Sequence, residues 1–444
     1  MYAEHRRQFF AEMEDGLALV PASHGQLRNQ DTDHIFRQNS DFMHLCGFEE
    51  PDAIAAFVKQ GKKTRYVLFV NPRDPALEIW TGRRAGTKGA RKDHGADEAW
   101  ELAEFGTRLP DLLSGSPCVY MPLGPDSFGP AWPRQNDVMR AINALSYKRK
   151  TPLVVPDTLR DVRALLARIR LRKSAAELEL LEGACAVTAE AFAEAMSCAK
   201  PGVREYQVKA VMQLVYGMRG GDWAFDTIVA GGANACVLHY VGCRDTLRDG
   251  ELVVVDAGAE LNGYCADVTR TFPVNGHFSP VQKRVYNAVL AAQHAAILAA
   301  GPGVPVDQVH EAAVTSLIHS MLKLGALKGS EASVRRSGNW KRYYPHGTGH
   351  WLGRDVHDVG DYANRESVTR LEPGMVMTVE PGLYFPPDDK RLPTELRGIG
   401  VRIEDDILIT ETGTRVLTSA IPKSVAAVEK ACAVRSSWLK KPVI

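Results

Sequence analysis

Two aspartates, Asp256 and Asp267, stand in the segment Glu251-Leu-Val-Val-Val-Asp-Ala-Gly-Ala-Glu-Leu-Asn-Gly-Tyr-Cys-Ala-Asp-Val-Thr-Arg-Thr-Phe272. Asn262-Gly263, between the strand-like runs Leu252–Ala257 and Ala266–Phe272, is a preferred pair for a type I′ hairpin turn, and a two-residue loop fixes the register. Leu261 then faces Tyr264, Asp256 faces Thr269 and Asp267 faces Gly258. The two carboxylates become diagonal neighbours on one face, roughly 7–8 Å apart at the backbone. The apolar run before Asp256 predicts a strand buried on both faces. Two carboxylates in such a place repel and are costly to desolvate, and a cation between them removes both difficulties.

Further donors follow in the chain. Glu380 ends the apolar run Val376–Val379, just before a Pro-Gly turn. In Gly398-Ile-Gly-Val-Arg402-Ile-Glu404, strand alternation puts Ile399, Val401 and Ile403 on one face and Arg402 and Glu404 on the other. Arg402 is thereby placed to orient a ligand carboxylate. Asp405 and Asp406 read as a solvated strand end. The segment Pro345-His346-Gly-Thr-Gly-His350-Trp-Leu-Gly-Arg-Asp-Val-His357-Asp358-Val-Gly360 carries three imidazoles. Its glycines argue against a helix that would set His346 and His350 on one turn as zinc ligands, and for a loop that presents histidines to a site. His239, after the apolar run Ala235–Leu238, is weak evidence by itself, and His310 reads as structural.

The elements that must hold these groups are legible from their ends. Ser174-Ala-Ala-Glu177 is a capping box that predicts a helix running to about Cys198. Ser279-Pro280-Val281-Gln282 opens a second helix ahead of Gly301, and a third runs from Val306 to Leu324 until Gly325 stops it. With hairpins between and after the helices, this half reads as α+β. The first half reads as a smaller α/β domain, with strands at Ala53–Val58 and Tyr66–Val70 and helical periodicity at Glu98–Leu113 and Val138–Leu145. The basic, Pro-flanked stretch Lys148–Pro156 precedes helical sequence at Asp157–Arg170. The domain boundary belongs within 160–172, giving domains 1–168 and 169–444.

Composition sets the outer limits. At roughly 150 residues per domain, 444 residues suit two to three domains. Fifty-four Lys+Arg against 53 Asp+Glu leave a net charge of +1, so no nucleic-acid or polyanion partner is expected. No apolar stretch reaches the roughly 18 residues of a membrane span, and the charged N-terminus lacks a signal-peptide core. The eight cysteines are scattered without a C-x-x-C pair and read as reduced thiols. The expectation is a cytoplasmic protein.

Asp256, Asp267, His350, Glu380 and Glu404, in that order and with these flanking sequences, resemble the dinuclear metal site of the pita-bread metallopeptidases. That family includes methionine aminopeptidase, prolidase, aminopeptidase P and the metal-free creatinases, and the resemblance covers roughly 170–425. Phe36-Arg-Gln-Asn-Ser-Asp-Phe42, Gly47-Phe-Glu-Glu-Pro51 and Glu78-Ile-Trp-Thr-Gly-Arg83 resemble bacterial aminopeptidase P more narrowly. The resemblance implies a two-domain α+β protein with a C-terminal pita-bread domain, which releases the N-terminal residue from peptides with proline at the second position. It implies two divalent metal ions. A site of four carboxylates and one imidazole suits Mn²⁺ best, with Zn²⁺ or Co²⁺ as other divalent occupants. Asp256 would hold one ion, His350 and Glu380 the other, and Asp267 and Glu404 both. Glu380 would serve as general base towards a water made acidic by the cations. His239 and His357 match substrate-contact positions, His346 lines the pocket, and Arg402 stands behind the ligands. Trp80 matches a tryptophan that reaches a neighbouring subunit's site, so a homo-oligomer, dimer or tetramer, is implied. Phe225 departs from the pattern, standing where relatives can carry a tyrosine whose hydroxyl approaches the ligands.

Two other readings belong beside this one. A prolidase would accept only Xaa-Pro dipeptides, and the N-terminal motifs speak against it. A catalytically inactive pita-bread binding protein, or a creatinase-like enzyme, would be expected to have lost metal ligands, and all five positions are filled here.

Overall fold

The computed structural model describes residues 1–124, 132–147, 154–434 and 436, so residues 148–153 of the basic stretch lie outside the described residues. The chain divides into two compact units, Met1–Ile169 and Arg170–Ile444. The division falls within the helix Val162–Leu171.

The N-terminal unit is built on a six-stranded mixed sheet in the order Glu98–Glu101, Lys63–Val70, Ile54–Gln60, Gly16–Pro21, Cys118–Met121, Thr158–Asp161. Strand alternation divides the central side chains between two cores. Ala18 and Val20 pack with Phe9, Phe42, Leu165 and Leu166 on one face. Leu17 and Leu19 pack with Phe105, Leu109, Val138 and Ile142 on the other. Helices therefore cover both faces, as an α/β layer demands. Two expected helices begin later than periodicity suggested. Glu98–Glu101 is an edge strand parallel to Val67–Val70, and the helix proper is Phe105–Leu113. Thr158–Asp161 likewise pairs with Cys118–Met121 before the helix Val162–Leu171 begins. In both places a four-residue parallel pairing, invisible locally, overrides the helical pattern.

The C-terminal unit combines long helices with short antiparallel sheets. Both capping boxes form, Ser174 with Glu177 at the helix Ala175–Cys198 and Ser279 with Gln282 at Pro280–Ala299. Leu181, Ala184, Cys185, Thr188, Ala191, Phe192 and Ala195 give the first helix a buried stripe at helical spacing. The apolar members of its second half join Val253, Val255, Val268 and Phe272 in the largest core, where each fully buried Val or Phe side chain contributes about 1.5–3 kcal/mol. Leu252–Ala257 is the central strand of a sheet, flanked by Ile228–Gly231 and Val268–Pro273. Val253, Val255 and Ala257 face the helices, so Val254 and Asp256 point to the opposite face.

The hairpin has the expected register, with Asp256 opposite Thr269 and Leu261 opposite Tyr264. Both turn residues adopt positive φ, 51° at Asn262 and 72° at Gly263, as a type I′ turn requires. It is not one continuous ladder: Ala259–Leu261 leaves the first sheet to pair with Asp222–Trp223 and Tyr264–Cys265. The change of sheet occurs at Gly258, where a Cβ would lie 1.7 Å from the Ala266 carbonyl oxygen. Asp267 sits at that break.

Two further sheets complete the unit, Val376–Val379 with Asp405–Thr410 and Gly413–Val416, and Gly382–Phe385 with Ile399–Arg402. Here Asp405 and Asp406 differ from expectation, because both are fully buried rather than solvated. Arg270 donates to Asp405 Oδ1 at 2.7 Å, while Gln293 and Lys423 donate to Oδ2 at 2.7 and 2.6 Å. Partners from three distant segments make burial of the Asp405 charge tolerable.

Candidate metal centre

Five segments deliver the acidic groups and His350 to one place, the histidine loop supplying His350. Asp256 comes from the central strand and Asp267 from the break in its partner. Glu380 follows the strand Val376–Val379, and Glu404 lies where the chain passes from Ile399–Arg402 to Asp405–Thr410. Backbone bonds fix the last two: Glu380 N–H donates to the Thr348 carbonyl at 2.7 Å and Glu404 N–H to the Thr269 carbonyl at 3.0 Å. Ligand atoms of Asp267, His350 and Glu404 all lie within 4.8 Å of one another.

The orientation of His350 decides what belongs between them. Its N–H donates to Thr378 Oγ1 at 3.0 Å, and its ring Nδ1 lies 3.0 Å from the Trp351 carbonyl. A carbonyl only accepts, so Nδ1 carries a proton, and Nε2 is the ring atom left to face the acidic groups. Nε2 points at Asp267 Oδ2 at 3.3 Å and Glu380 Oε1 at 3.6 Å. Two carboxylate oxygens around one ring nitrogen are stable only with positive charge among them, either a proton on Nε2 or a cation in its place. Asp256 Oδ1 adds to the case, since it is buried without a protein hydrogen-bond partner among the described residues. Burial pushes the Asp267 carboxyl well above its ordinary range, and Asp256 and Asp406 push it further. Burial, followed by Asp267 and Glu380, does the same to Glu404. Burial also raises Glu380, against the pull of His350 and Arg402. This donor set fits a hard divalent cation.

The groups around the donors are ordered too. Arg402 is buried and donates to Asp256 Oδ2 at 2.7 Å, to Tyr384 Oη at 3.0 Å and to Thr269 Oγ1 at 3.0 Å. Thr269 Oγ1 in turn donates to Glu404 Oε2 at 2.7 Å. His346 Nδ1 lies 2.7 Å from the Gly347 carbonyl, and its Nε2 takes the Tyr384 hydroxyl at 2.8 Å. Burial first, and then Arg402, push the His346 pKa down to about 3, so the ring is neutral at physiological pH. The His357 ring stands edge-on to His350 with centroids 4.3 Å apart. Burial and the neighbouring His350 and His239 lower its pKa. His239 is exposed, and its charge acts on both His346 and His357. His310, read as structural, bonds Thr348 Oγ1 through Nδ1 at 2.8 Å and so braces the histidine loop.

Phe225 is half-buried in the segment between Asp222–Trp223 and Ile228–Gly231. Trp80, on the helix Pro75–Thr81 of the N-terminal unit, is 86% exposed, which excludes a core role. Sequence reasoning overlooked Thr269, Tyr384 and Asp406, whose Oδ2 accepts the Asp267 N–H at 3.1 Å. The signal for Thr269 was its place opposite Asp256. For Asp406 it was alternation, two residues beyond Glu404.

Residues 179–411 match the model of metallopeptidase family M24, and residues 2–120 match the aminopeptidase P N-terminal domain. The chain belongs to the M24 metallopeptidases. Within this family it is 37% identical to a Xaa-Pro aminopeptidase of Haemophilus influenzae and 38% identical to one of Escherichia coli, over 96% of each chain in both cases. Among solved structures, Pseudomonas aeruginosa aminopeptidase PepP superposes with a TM-score of 0.93 at 40% identity, covering 97% of both chains. A variant of Escherichia coli aminopeptidase P in complex with substrate gives 0.91 at 37% identity, again over 97% of both chains. This M24 protein is thus an enzyme, a metal-dependent aminopeptidase with a pita-bread catalytic domain and a separate N-terminal domain. Its family and its donor cluster support use of a divalent metal.

Proposed function

We propose that this aminopeptidase hydrolyses the bond between an N-terminal residue and a following proline. The supporting observation is a filled and converging donor set within a chain that matches Xaa-Pro aminopeptidases over 96% of its length. Asp256, Asp267, His350, Glu380 and Glu404 would hold two divalent ions, with Mn²⁺ the best-suited occupant of so oxygen-rich a site. Bound there, the ions supply Lewis acidity and make water acidic near neutral pH. Glu380, its affinity for protons raised by burial, accepts the proton that the attacking water gives up. His239 and His357 steady the substrate carbonyl as it becomes tetrahedral. Arg402 holds Asp256 in place.

An Xaa-Pro bond is a tertiary amide without N–H, and its ring fixes φ, so a dedicated pocket must replace the usual backbone grip. His346, kept neutral and fixed by Tyr384, offers a ring face to the pyrrolidine without demanding a hydrogen bond from it. The exposed Trp80 suits a contact with another copy of the chain in a dimer or tetramer. The cytoplasm is the proposed compartment, in keeping with eight cysteines that are all free. No helix among the described residues is long and apolar enough to cross a membrane.

The test is hydrolysis of Xaa-Pro and Xaa-Pro-Xaa peptides by chelated enzyme before and after adding Mn²⁺, with Asp267→Ala alongside. Cleavage of the tripeptide restored by Mn²⁺, with the variant inert, is the expected result. Cleavage of the dipeptide alone would make the protein a prolidase, and no cleavage with any metal would overturn the reading.

A further inference from the structure

A buried charge cluster beside the histidine loop has no part in the chemistry described above. Asp358 accepts from Arg170 Nη2 on Oδ1 at 2.5 Å and from Lys173 Nζ on Oδ2 at 3.0 Å, and the three side chains are 1%, 3% and 1% exposed. Arg170 Nη2 also reaches Asp355 Oδ2 at 2.7 Å. Burying these ions costs several kcal/mol each before their attraction is counted, so stability alone is a weak reason for the cluster. Its location suggests another: Asp358 directly follows His357.

The loop is anchored at two places, which meet at the Trp351 carbonyl shared by the Asp358 N–H and His350 Nδ1. Its first part is tied to the strands that carry the metal donors. His350 is held by Thr378, Leu352 N–H donates to the Val376 carbonyl at 3.0 Å, and Cys265 N–H donates to the Gly353 carbonyl at 2.9 Å. The return half is drawn back by Asp358, whose N–H donates to the Trp351 carbonyl at 2.9 Å and whose carboxylate sits in the Arg170–Lys173 clamp. The chain packs directly onto that clamp. A Cβ at Gly353 would stand 2.1 Å from Asp358 Oδ2 and 2.9 Å from Lys173 Cε.

We infer that Asp358, gripped by Arg170 and Lys173, is a positioning residue that holds the His357 ring at the site. The inference rests on reading His357 as a substrate-contact group. Asp358→Asn keeps the shape and removes the charge. It should lower kcat/KM on an Xaa-Pro-Xaa peptide about 10- to 100-fold, the usual range for a group that orients another, while the Mn²⁺ Kd measured by calorimetric titration stays at the wild-type value. Placed in a His357→Ala background it should cost nothing more, since both changes remove one function. Asp358→Asn combined with Lys173→Met should recover the melting temperature, because a lone buried ammonium is gone, without recovering kcat/KM. Should Asp358→Asn fail to fold, Lys173→Met, which keeps the Arg170 bond, carries the same comparison with a smaller loss. The inference is overturned if the folded variant retains wild-type kcat/KM, if Mn²⁺ affinity falls in step with activity, or if its loss adds in full to that of His357→Ala. His357→Ala with wild-type activity would instead remove the reading of His357 on which the inference rests.

Discussion

Loading the metal-free enzyme with Mn²⁺ should expel protons, and their number is a direct measure of how the acidic cluster survives without cations. Burial raises Asp267, Glu380 and Glu404 together, and their mutual repulsion raises Asp267 and Glu404 further. Because the three share one field they titrate as a group, and between about one and three protons should leave near pH 7 when cations take over the charge balance. Each displaced proton makes the apparent Kd tighten about tenfold, or about 1.4 kcal/mol, per pH unit. The sign for stability follows from the same shifts. Carboxyls raised in the folded state bind more protons than in the unfolded chain, so the metal-free protein loses stability as pH rises from the ordinary carboxylate range through the raised values. Cations remove that penalty, and the gap in melting temperature between loaded and chelated enzyme should widen from pH 5.5 to pH 8. At free Mn²⁺ about 100 times Kd the stabilisation is about 2.7 kcal/mol, which for a unit of this size is a rise of roughly 5 °C. Titration calorimetry in two buffers of different ionisation enthalpy counts the protons. Heats that do not depend on the buffer, with a Kd flat between pH 6 and pH 8, would show that the carboxylates are already ionised without metal and would refute the reasoning.

Thr269→Val deletes the 2.7 Å bond to Glu404 and the acceptor for Arg402 while keeping the side-chain shape. Mn²⁺ affinity should fall about 10- to 100-fold by calorimetric titration, and an unchanged Kd would show that Glu404 needs no such support. Arg270→Met strips the buried Asp405 of its guanidinium partner, and denaturant unfolding should show a loss of about 3–5 kcal/mol. Burial works to raise Asp405, but Arg270 and Lys423 outweigh it and its pKa is lowered. Its contribution in the wild type is therefore present above the ordinary aspartate range and fades as pH falls through the lowered value, a pH dependence that Arg270→Met should blunt. His346 is held neutral, with a pKa near 3, so His346→Ala should reduce kcat/KM for proline peptides about tenfold or more without moving the limbs of the pH–rate profile between pH 5 and pH 9. A shifted limb would mean that His346 titrates during turnover.

Features whose causes lie close together in the chain are legible from sequence, and those assembled across it are not. Asn262-Gly263 sets its hairpin register by turn geometry alone, so the pairing of Asp256 with Thr269 follows from counting outward along both strands from the turn. Alternation likewise puts Arg402 and Glu404 on one face, the face on which Arg402 meets Asp256. Asp405 and Asp406 look to a local reading like a solvated strand end, because what makes their burial tolerable comes from Arg270, Gln293, Lys423 and the Asp267 backbone, most of them more than a hundred residues away in the chain. Glu98–Glu101 is a strand only because Val67–Val70 lies beside it, and its own four residues carry no period-2 signal to compete with the helix that follows. Thr269 marks the limit most clearly. Its position is derivable from the turn, yet its role is not, since the Glu404 carboxylate and the Arg402 guanidinium that converge on its hydroxyl arrive from the far end of the chain. A carboxylate in an apolar strand therefore announces that a compensating charge must exist, and only the assembled sheets show whether that charge is an arginine, as for Asp405, or a cation that the chain itself does not encode, as the convergence of Asp267 and Glu380 on His350 Nε2 favours.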